Sequence, residues 1–255
     1  MTVDYETWQW FFFSLSALII GMSKCGVPGL SILNVAIFQN LLLSKDATGF
    51  GLPLLIVGDI VAVLVYKRHA VWKQLWRLFP AAAAGVVLAY FALRVIDNSQ
   101  AKVIVSLILG VLLLLHFLKS RGSTIDKDLA GRGKATAALV GALSGFVSMV
   151  ANAAGPIMVI YLLSMRFDKM AFMGTSVYFF LFLNFFKVPF LVDLEMINLG
   201  SLEANLKLVP FILVGAALGY FFAKKINQKW FEGTAFWLTV VAVVHMLWTA
   251  LMVYI

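Results

Sequence analysis

Runs of about twenty apolar residues recur along the chain, and they constrain its fold more than any other feature. An α-helix needs a run of this length to cross the roughly 30 Å hydrocarbon core of a bilayer. The composition agrees, because 62% of the 255 residues are hydrophobic and only 13% are charged. A soluble domain is about half apolar and about a quarter charged. The sequence therefore predicts an all-α polytopic membrane protein, almost wholly embedded in the bilayer.

The net charge of +8 fits a membrane protein without a nucleic-acid partner. Cytoplasmic loops carry an excess of Lys and Arg, which accounts for such a charge. The single cysteine, Cys25, excludes an intrachain disulfide and a cysteine metal cluster. The first apolar run lacks a basic region before it and a small-residue cleavage site after it. We therefore expect it to belong to the fold and not to be a cleaved signal peptide.

The two halves of the chain resemble each other. The segment RLFPAAAAGVVLAYFALRVIDN, residues 77–98, aligns with KLVPFILVGAALGYFFAKKINQ, residues 207–228, and Gly85 then matches Gly215. Upstream, KDATGFGLPLLIVGDI aligns with KMAFMGTSVYFFLFLNF, and MSKCGVPG aligns with SMVANAAGP. Agreement in the same order along both halves indicates an internal repeat.

Each half contains five apolar segments. In the first half they are residues 8–23, 28–43, 47–66, 73–93 and 100–118. In the second half they are residues 135–149, 153–165, 170–192, 205–223 and 231–254. Since an odd number of segments turns the second copy upside down, we expect two inverted five-segment repeats. The first repeat would cover residues 1–119 and the second residues 135–255, joined by a cytoplasmic linker at residues 120–134.

The positions of the basic residues support this inversion. With the N-terminus outside, most of the 20 Lys and Arg residues fall in cytoplasmic loops, as the positive-inside rule expects. These residues are Lys67, Arg68, Lys73, Arg77, Lys119, Arg121, Lys127, Arg132, Lys134, Arg166, Lys169, Lys224, Lys225 and Lys229. The sequence predicts that the N-terminus and the C-terminus both lie outside.

The first two segments of each half are short, about sixteen residues or fewer, where a span needs about twenty. SKCGVPG, residues 23–29, joins one pair, and VANAAGP, residues 150–156, joins the other. Either both segments span the membrane and the joint is a surface turn, or the pair is a re-entrant helix hairpin. We favour the hairpin, because interrupted segments at matching positions of two repeats are typical of a transport site. Irregular backbone at that depth is tolerated only inside protein or beside a cavity.

Re-entrant hairpins would form a site for an anion. The second helix of each hairpin is expected to begin near Pro28 or Pro156, with its free N–H groups and positive dipole end facing the cavity. Lys24 would add a full positive charge, unless it snorkels to the cytoplasmic surface. The candidate substrate-binding residues are Ser23, Lys24, Cys25, Gly26, Pro28, Gly29, Asn34, Ser148, Asn152, Gly155 and Pro156.

Three further residues are candidates for coupling or gating. Asp59 and Lys187 are ionisable residues inside apolar segments, where such residues are costly and are functional by default. Asn184 aligns with Asp59 between the two halves. A purely structural alternative pairs Asp59 with Lys24 or with Lys187. We expect no metal and no cofactor, because His116 and His245 lack neighbouring ligands and are typical of packing or interfacial positions.

The segments GMSKCGVPGLSILNV, LPLLIVGDIVAVLVYKRHAVWKQLWRLFP, NAAGPIMVIYLL and MAFMGTSVYFFLFLNFFKVPF together resemble the sulfite exporter TauE/SafE family. This family is also called the toluene sulfonate uptake permease family. The resemblance implies a multi-pass permease of a bacterial-type inner membrane. Substrates in the family include sulfite, thiosulfate and organic sulfonates or sulfoacetate, moved with the proton gradient.

The first hairpin tip departs from the common pattern of that family. Many members carry three glycines where this chain has Ser23, Lys24, Cys25 and Gly26. The resemblance is therefore to a lysine-bearing branch with the pattern SKxGxPG. It implies site residues at the two tips and at Asp59, Asn184 and Lys187.

The preferred hypothesis is a proton-coupled secondary transporter of a small sulfur-containing anion such as sulfite, thiosulfate or an organosulfonate. An anion channel on the same scaffold would have almost the same sequence. A membrane-embedded enzyme or assembly factor is a further alternative, against which the sequence has no HExxH or GxSxG motif. The expected partners are a small anionic substrate, the lipid bilayer and protons, and the oligomeric state stays open.

Overall fold

The computed structural model describes residues 5–42, 44–120, 133–197 and 199–251, and these residues form ten α-helices without a strand. The helices are α1 (Thr7–Cys25), α2 (Ser31–Leu41), α3 (Ser44–Tyr66), α4 (Trp72–Leu93), α5 (Asn98–Ser120), α6 (Lys134–Ala151), α7 (Gly155–Ser164), α8 (Lys169–Asp193), α9 (Leu199–Lys225) and α10 (Gln228–Leu251). Each of the ten apolar segments corresponds to one helix, which confirms the all-α prediction. Most of the predicted linker, residues 121–132, lies outside the described residues.

Six helices in the described part of the chain are long and apolar enough to cross a membrane. They are α3, α4, α6, α8, α9 and α10. The protein is therefore a multi-pass membrane protein, as the apolar runs predict.

The helices around the two joints differ in length. The α2 helix has 11 residues and the α7 helix has 10. At 1.5 Å per residue each is about 15 Å long, half of the hydrocarbon core. The prediction of at most about sixteen residues is wrong for α1 and α6, which have 19 and 18 residues. The apolar run does not mark the ends of α1, because a capping box of Glu6 and Gln9 starts it and it continues through Lys24 to Cys25.

The two long helices α3 and α8 pack against each other in opposite directions. Gly49, near the start of α3, lies so close to Met196 that a Cβ would collide with the Met196 carbonyl oxygen. Gly174, near the start of α8, lies against His69, with 2.7 Å between a Cβ and the His69 carbonyl carbon. The start of each helix therefore contacts the turn that follows the other, so α3 and α8 are antiparallel.

Two further pairs, α1 with α9 and α4 with α6, are in direct backbone contact. A Cβ on Gly215 of α9 would collide with the Leu18 carbonyl oxygen of α1. In the same way, a Cβ on Gly85 of α4 would collide with the Ala142 carbonyl oxygen of α6. Small residues permit such close approach between helices in membranes. Gly85 and Gly215, which the sequence alignment matched, therefore make the same contact in two different interfaces.

An aromatic cluster fixes the first joint in the fold. Phe13 of α1, Phe38 of α2 and Phe50 of α3 are all buried. The Phe13 and Phe50 ring centroids are 4.9 Å apart, and the Phe38 and Phe50 centroids are 5.5 Å apart. Contacts of this geometry stabilise packing beyond the area they bury. They hold the short α2 helix against α1 and α3.

Candidate functional site

The joint between α1 and α2, residues 23–31 and here called tip 1, contains a left-handed turn. Gly29 has φ +98°, a conformation that glycine adopts far more readily than any L residue. The prediction that the second helix begins near Pro28 is wrong, because Gly29 interrupts the helical path and α2 begins at Ser31. The N-terminal end of α2 therefore lies three residues beyond the proline.

The joint between α6 and α7, residues 148–156 and here called tip 2, turns on an asparagine. Asn152 caps α6 in the left-handed conformation with φ 54°, and its N–H donates to the Ser148 carbonyl over 3.0 Å. Asparagine is one of the few residues besides glycine that tolerate this conformation. The α7 helix begins at Gly155 with Pro156 in its first turn, as predicted.

The two tips meet at the N-terminal ends of their short helices. A Cβ on Gly155, the first residue of α7, would lie 2.6 Å from Oγ of Ser31, the first residue of α2. Neither helix has a side-chain hydrogen bond at its N-cap. The first N–H groups of a helix lack intrahelical partners, and its N-terminus carries partial positive charge. Two such ends therefore converge on one place.

A cavity lies at this meeting point, between the tips and helices α3 and α8. Its empty volume is about 590 Å³, counting the space at its open mouth. Eight of the predicted site residues line it: Ser23, Lys24, Pro28, Gly29, Ser148, Asn152, Gly155 and Asn184. The structure thus brings both tips together around one space.

The sequence interpretation missed several lining residues. Ser31 and Ser176 add hydroxyl groups, and Phe180 adds an aromatic face. The remaining apolar lining residues are Leu55, Val159, Met173 and Val177. The cavity therefore has polar tips and an apolar wall.

Four of the predicted substrate-binding residues do not line this cavity. Cys25 is fully buried, and its carbonyl accepts a 2.6 Å hydrogen bond from the Tyr66 hydroxyl. Gly26 packs against the backbone of Gly219, and Pro156 is buried. Asn34 lines a separate, smaller cavity beside tip 2. These residues shape or border the tips without facing the main cavity.

Asp59 and Lys24 form a buried ion pair at tip 1. Lys24 Nζ lies 2.6 Å from Asp59 Oδ1, and Asn184 Nδ2 donates to Asp59 Oδ2 over 2.7 Å. Lys24 is only 8% exposed and Asp59 is fully buried. The ammonium also lies 4.5 Å from the centroid of the Phe180 ring. Lys24 therefore points into the bundle, and of the two pairs that the sequence left open, the structure forms this one.

Lys187, a residue of α8, forms hydrogen bonds with tip 2. Its Nζ donates to the Ser148 carbonyl over 3.1 Å, to Ser148 Oγ over 2.9 Å and to Asn152 Oδ1 over 2.7 Å. Asn152 Nδ2 in turn donates to the Thr48 carbonyl of α3 over 2.9 Å. Asn152 thereby connects the end of α6 to both long helices. The Lys187 ammonium is fully buried, and the three acceptors it contacts are neutral.

The charges around the cavity do not cancel when both lysines are protonated. Lys24 and Lys187 then contribute two positive charges, and Asp59 contributes one negative charge. A net charge in a water-poor interior is costly unless a counter-charge lies nearby. An anion in the cavity would supply that counter-charge and the acceptors for the helix N–H groups. Among the described residues no group of three or more His, Cys, Asp or Glu is arranged to hold a metal ion.

A family model described as Sulfite exporter TauE/SafE matches residues 13–246 of the chain. The match includes both tips and both long helices. No curated protein and no solved structure is similar enough to the chain to give a match.

Proposed function

Because the chain belongs to the sulfite exporter TauE/SafE family, we propose that it is a secondary transporter of a small sulfur-containing anion. Sulfite, thiosulfate and organosulfonates are the candidate substrates. The family is a transporter family of the membrane, and the six membrane-length helices agree with that. The sequence SKCG at residues 23–26 supports a place in a lysine-bearing branch of that family.

One observation carries this proposal: two helix N-termini and a buried lysine converge on one cavity. Gly155 and Ser31 are adjacent, and Lys24 lines the same space. Backbone N–H groups at a helix N-terminus bind oxyanions, and half-helices that meet inside a membrane are a recurrent transporter device. Ser23 and Ser31 supply further hydrogen-bond donors. An oxyanion of the size of sulfite is therefore the substrate class that this chemistry favours.

The proposed architecture is a pair of inverted repeats, residues 1–119 and 135–255, each beginning with a re-entrant hairpin. The antiparallel packing of α3 and α8 supports the inversion, and so do the matching contacts of Gly85 and Gly215. The short α2 and α7 helices support the hairpins, because neither is long enough to cross a bilayer core. Their tips contact residues about two turns inside the ends of α3 and α8, namely Asp59 and Lys187.

In this proposal, proton coupling arises because the Asp59 carboxylate and the substrate anion compete for the Lys24 ammonium. In the structure the Asp59 carboxylate is the ion-pair partner of Lys24. Protonation of Asp59 would release the ammonium, and the substrate anion would take the place of the carboxylate. A proton and an anion would then bind together, which couples anion movement to the proton gradient. Asn184 and Lys187 would hold Asp59 and tip 2 in position during this exchange.

The proposed location is the cell inner membrane, with both termini outside. This orientation puts most of the basic residues on the cytoplasmic side, including those of the α3–α4 turn and the end of α9.

The test is anion uptake by proteoliposomes that contain the purified protein. Labelled sulfite, thiosulfate, sulfoacetate and sulfate are compared with and without an imposed pH gradient. Lys24→Ala and Asp59→Asn are tested beside Lys207→Ala, a matched control that removes an exposed lysine paired with Glu203.

The proposal expects saturable uptake of one sulfur anion that the pH gradient drives and that Lys24→Ala abolishes. Lys207→Ala should transport like the wild type. Uptake that neither saturates nor shows countertransport would replace the transporter with an anion channel. No uptake of any of the four anions would overturn the sulfur-anion proposal.

A further inference from the structure

We propose that a second, smaller cavity beside tip 2 is the next section of the transport path, and that the Asn152 side chain is the partition between the two cavities. This inference rests on the proposed transport function and adds a route to it. The second cavity is lined by residues from α2, α3 and the end of α6, and of the residues that the structure describes, Asn152 alone lines both cavities.

The two cavities are displaced from each other along the α3–α8 pair, and the main cavity reaches the middle of it at Leu55. The main cavity is lined by Met173 and Ser176, in the first third of α8. The second cavity is lined by Ala47 and Thr48, in the first turns of α3. Since α3 and α8 are antiparallel, these two helix starts lie at opposite ends of the pair. The cavities are therefore arranged along the direction in which a substrate would cross.

One face of α2 connects them. Ser31 lines the main cavity, whereas Asn34, Phe38 and Gln39 line the second one. The spacing of these positions places them on a common face of a helix. From Ser31 to Gln39 the helix rises about 12 Å, and Gln39 is half-buried near its end. A continuous helix face thus leads from the anion site toward one surface of the bundle.

Asn34 provides independent evidence that this cavity takes a polar occupant. Asn34 is only 1% exposed, and its Oδ1 has no hydrogen-bond partner among the described residues. Buried polar atoms are almost always satisfied, so such an acceptor calls for water or a ligand that donates. A hydrated path, or a passing protonated oxyanion, would meet this need.

The partition is closed by hydrogen bonds. Asn152 Oδ1 accepts from Lys187 and its Nδ2 donates to the Thr48 carbonyl, so the amide is held between α8 and α3. Opening the path requires that these bonds break so that the Asn152 amide can turn aside. Lys187 and Thr48 are therefore positioning groups for the partition.

Gly51 offers a way to block the path without rebuilding the fold. A Cβ at Gly51 would lie 3.4 Å from Asn152 Nδ2 and 3.4 Å from the Phe38 ring. A methyl group fits at this distance and contacts Asn152 and Phe38, two side chains that line the second cavity, so it would restrict their movement when the path opens. Gly233→Ala is the matched control, because a Cβ at Gly233 would meet nothing within 4 Å.

The first experiment measures flux and substrate affinity for both glycine variants in proteoliposomes. Gly51→Ala should lower the maximal flux at least tenfold and leave the affinity of the main cavity unchanged, whereas Gly233→Ala should match the wild type. Asn152→Gly keeps the left-handed backbone and removes the partition side chain. It should produce a leak of anion that no longer depends on the pH gradient.

The second experiment uses chemical modification of the path. Gln39→Cys and Asn40→Cys are labelled with a cationic, membrane-impermeant thiol reagent before reconstitution, and the parent protein serves as the control for the buried Cys25. Asn40 is exposed and does not line the cavity. Label at Gln39→Cys should block flux, and label at Asn40→Cys should not.

The route is overturned if Gly51→Ala and labelled Gln39→Cys both transport at the parent rate. Absence of flux in the parent protein is a different result, because it removes the proposed transport function itself.

Discussion

The two tips occupy matching places in the two halves of the chain, yet they place their charges in opposite ways. At tip 1 the lysine belongs to the tip, and the long helix α3 supplies the carboxylate of Asp59. At tip 2 the lysine belongs to the long helix α8, and the tip supplies the neutral acceptors Ser148 and Asn152. Both arrangements anchor a tip to a long helix through a buried ammonium group.

Because of this difference, we expect the two tips to contribute differently to anion binding. Lys24 lines the cavity, and its ammonium has one carboxylate partner, Asp59, which an anion would replace in the proposed mechanism. The Lys187 ammonium has three acceptors and does not line the cavity. Tip 1 would therefore recognise the charge of the substrate, and tip 2 would contribute N–H groups from a fixed position. The two tips thus carry different chemistry at positions that the sequence alignment matches.

The largest effect is expected from Lys24→Ala. The variant removes the proposed ligand for the anion and leaves Asp59 buried with Asn184 as its remaining partner. Loss of one partner of a buried ion pair costs about 3–5 kcal/mol. Flux should fall below detection, and the thermal unfolding temperature in detergent should drop.

A double variant separates the two consequences of that change. Lys24→Met with Asp59→Asn removes both charges, so most of the lost thermal stability should return while transport stays absent. Recovery of transport in the double variant would contradict the role of Lys24 as an anion ligand.

A smaller effect is expected from Lys187→Met, which keeps most of the length of the side chain and removes its donors. The acceptors on Ser148 and Asn152 then lose their partner, and each buried unsatisfied group costs about 1–3 kcal/mol. Gradient-driven flux should fall about tenfold, because tip 2 and the Asn152 partition loosen. The anion Kd should rise by less than in Lys24→Ala, because Lys187 adds to the net charge but does not line the cavity. Equilibrium binding beside flux measures both quantities. A change in Kd as large as that of Lys24→Ala would remove the difference between the tips.

Ser31→Ala should weaken the site moderately at the point where the tips meet. The variant removes one hydroxyl donor, and a neutral hydrogen bond contributes about 0.5–1.5 kcal/mol, or about 2–10-fold in KM. Ser99→Ala, at an exposed position of α5, is the control. The concentration dependence of uptake provides the measurement, and an unchanged KM would remove Ser31 from the site.

The smallest effect is expected from Phe180→Leu, which removes the aromatic face beside Lys24. A cation–π contact contributes about 0.5–1 kcal/mol at a partly solvated site, so Kd should change about twofold to fivefold. Phe185→Leu, on the same helix at an exposed position, should bind the anion like the wild type. Equal Kd values for both variants would show that the ring does not hold the lysine in place.

The sequence predicts the ten helices well and their ends poorly. Apolar runs report which segments are embedded, and this signal is strong for segments such as α3 and α8. Helix ends depend instead on single residues. Because Gly29 adopts a left-handed conformation, α2 begins at Ser31 and not near Pro28. Caps and left-handed turns are decided locally, and hydropathy does not record them.

The site is predicted in part for a related reason. Lys24 and Asp59 stand out because a charge in an apolar run is rare, and their pairing was one of two that the sequence allowed. Ser31 and Phe180 give no such signal, because serine and phenylalanine are common in membrane helices. Lys187 was recognised as important, but its partners Ser148 and Asn152 lie in another segment, and only the packed structure relates them.

The most direct test of the central claim, that an anion binds between the two tips, is an equilibrium binding measurement with one variant at each tip. The four labelled sulfur anions are titrated against wild-type protein, Lys24→Ala and Gly155→Ala in nanodiscs. A Cβ on Gly155 would lie 2.6 Å from Ser31 Oγ, so this methyl group fills the gap between the helix N-termini and Ser31 can rotate away. Gly233→Ala and Lys207→Ala are the controls.

The account predicts that one anion binds the wild type and both controls with the same Kd, and that both tip variants weaken it at least tenfold. Binding to Gly155→Ala with the wild-type Kd would show that the anion does not lie between the tips, and would contradict the account.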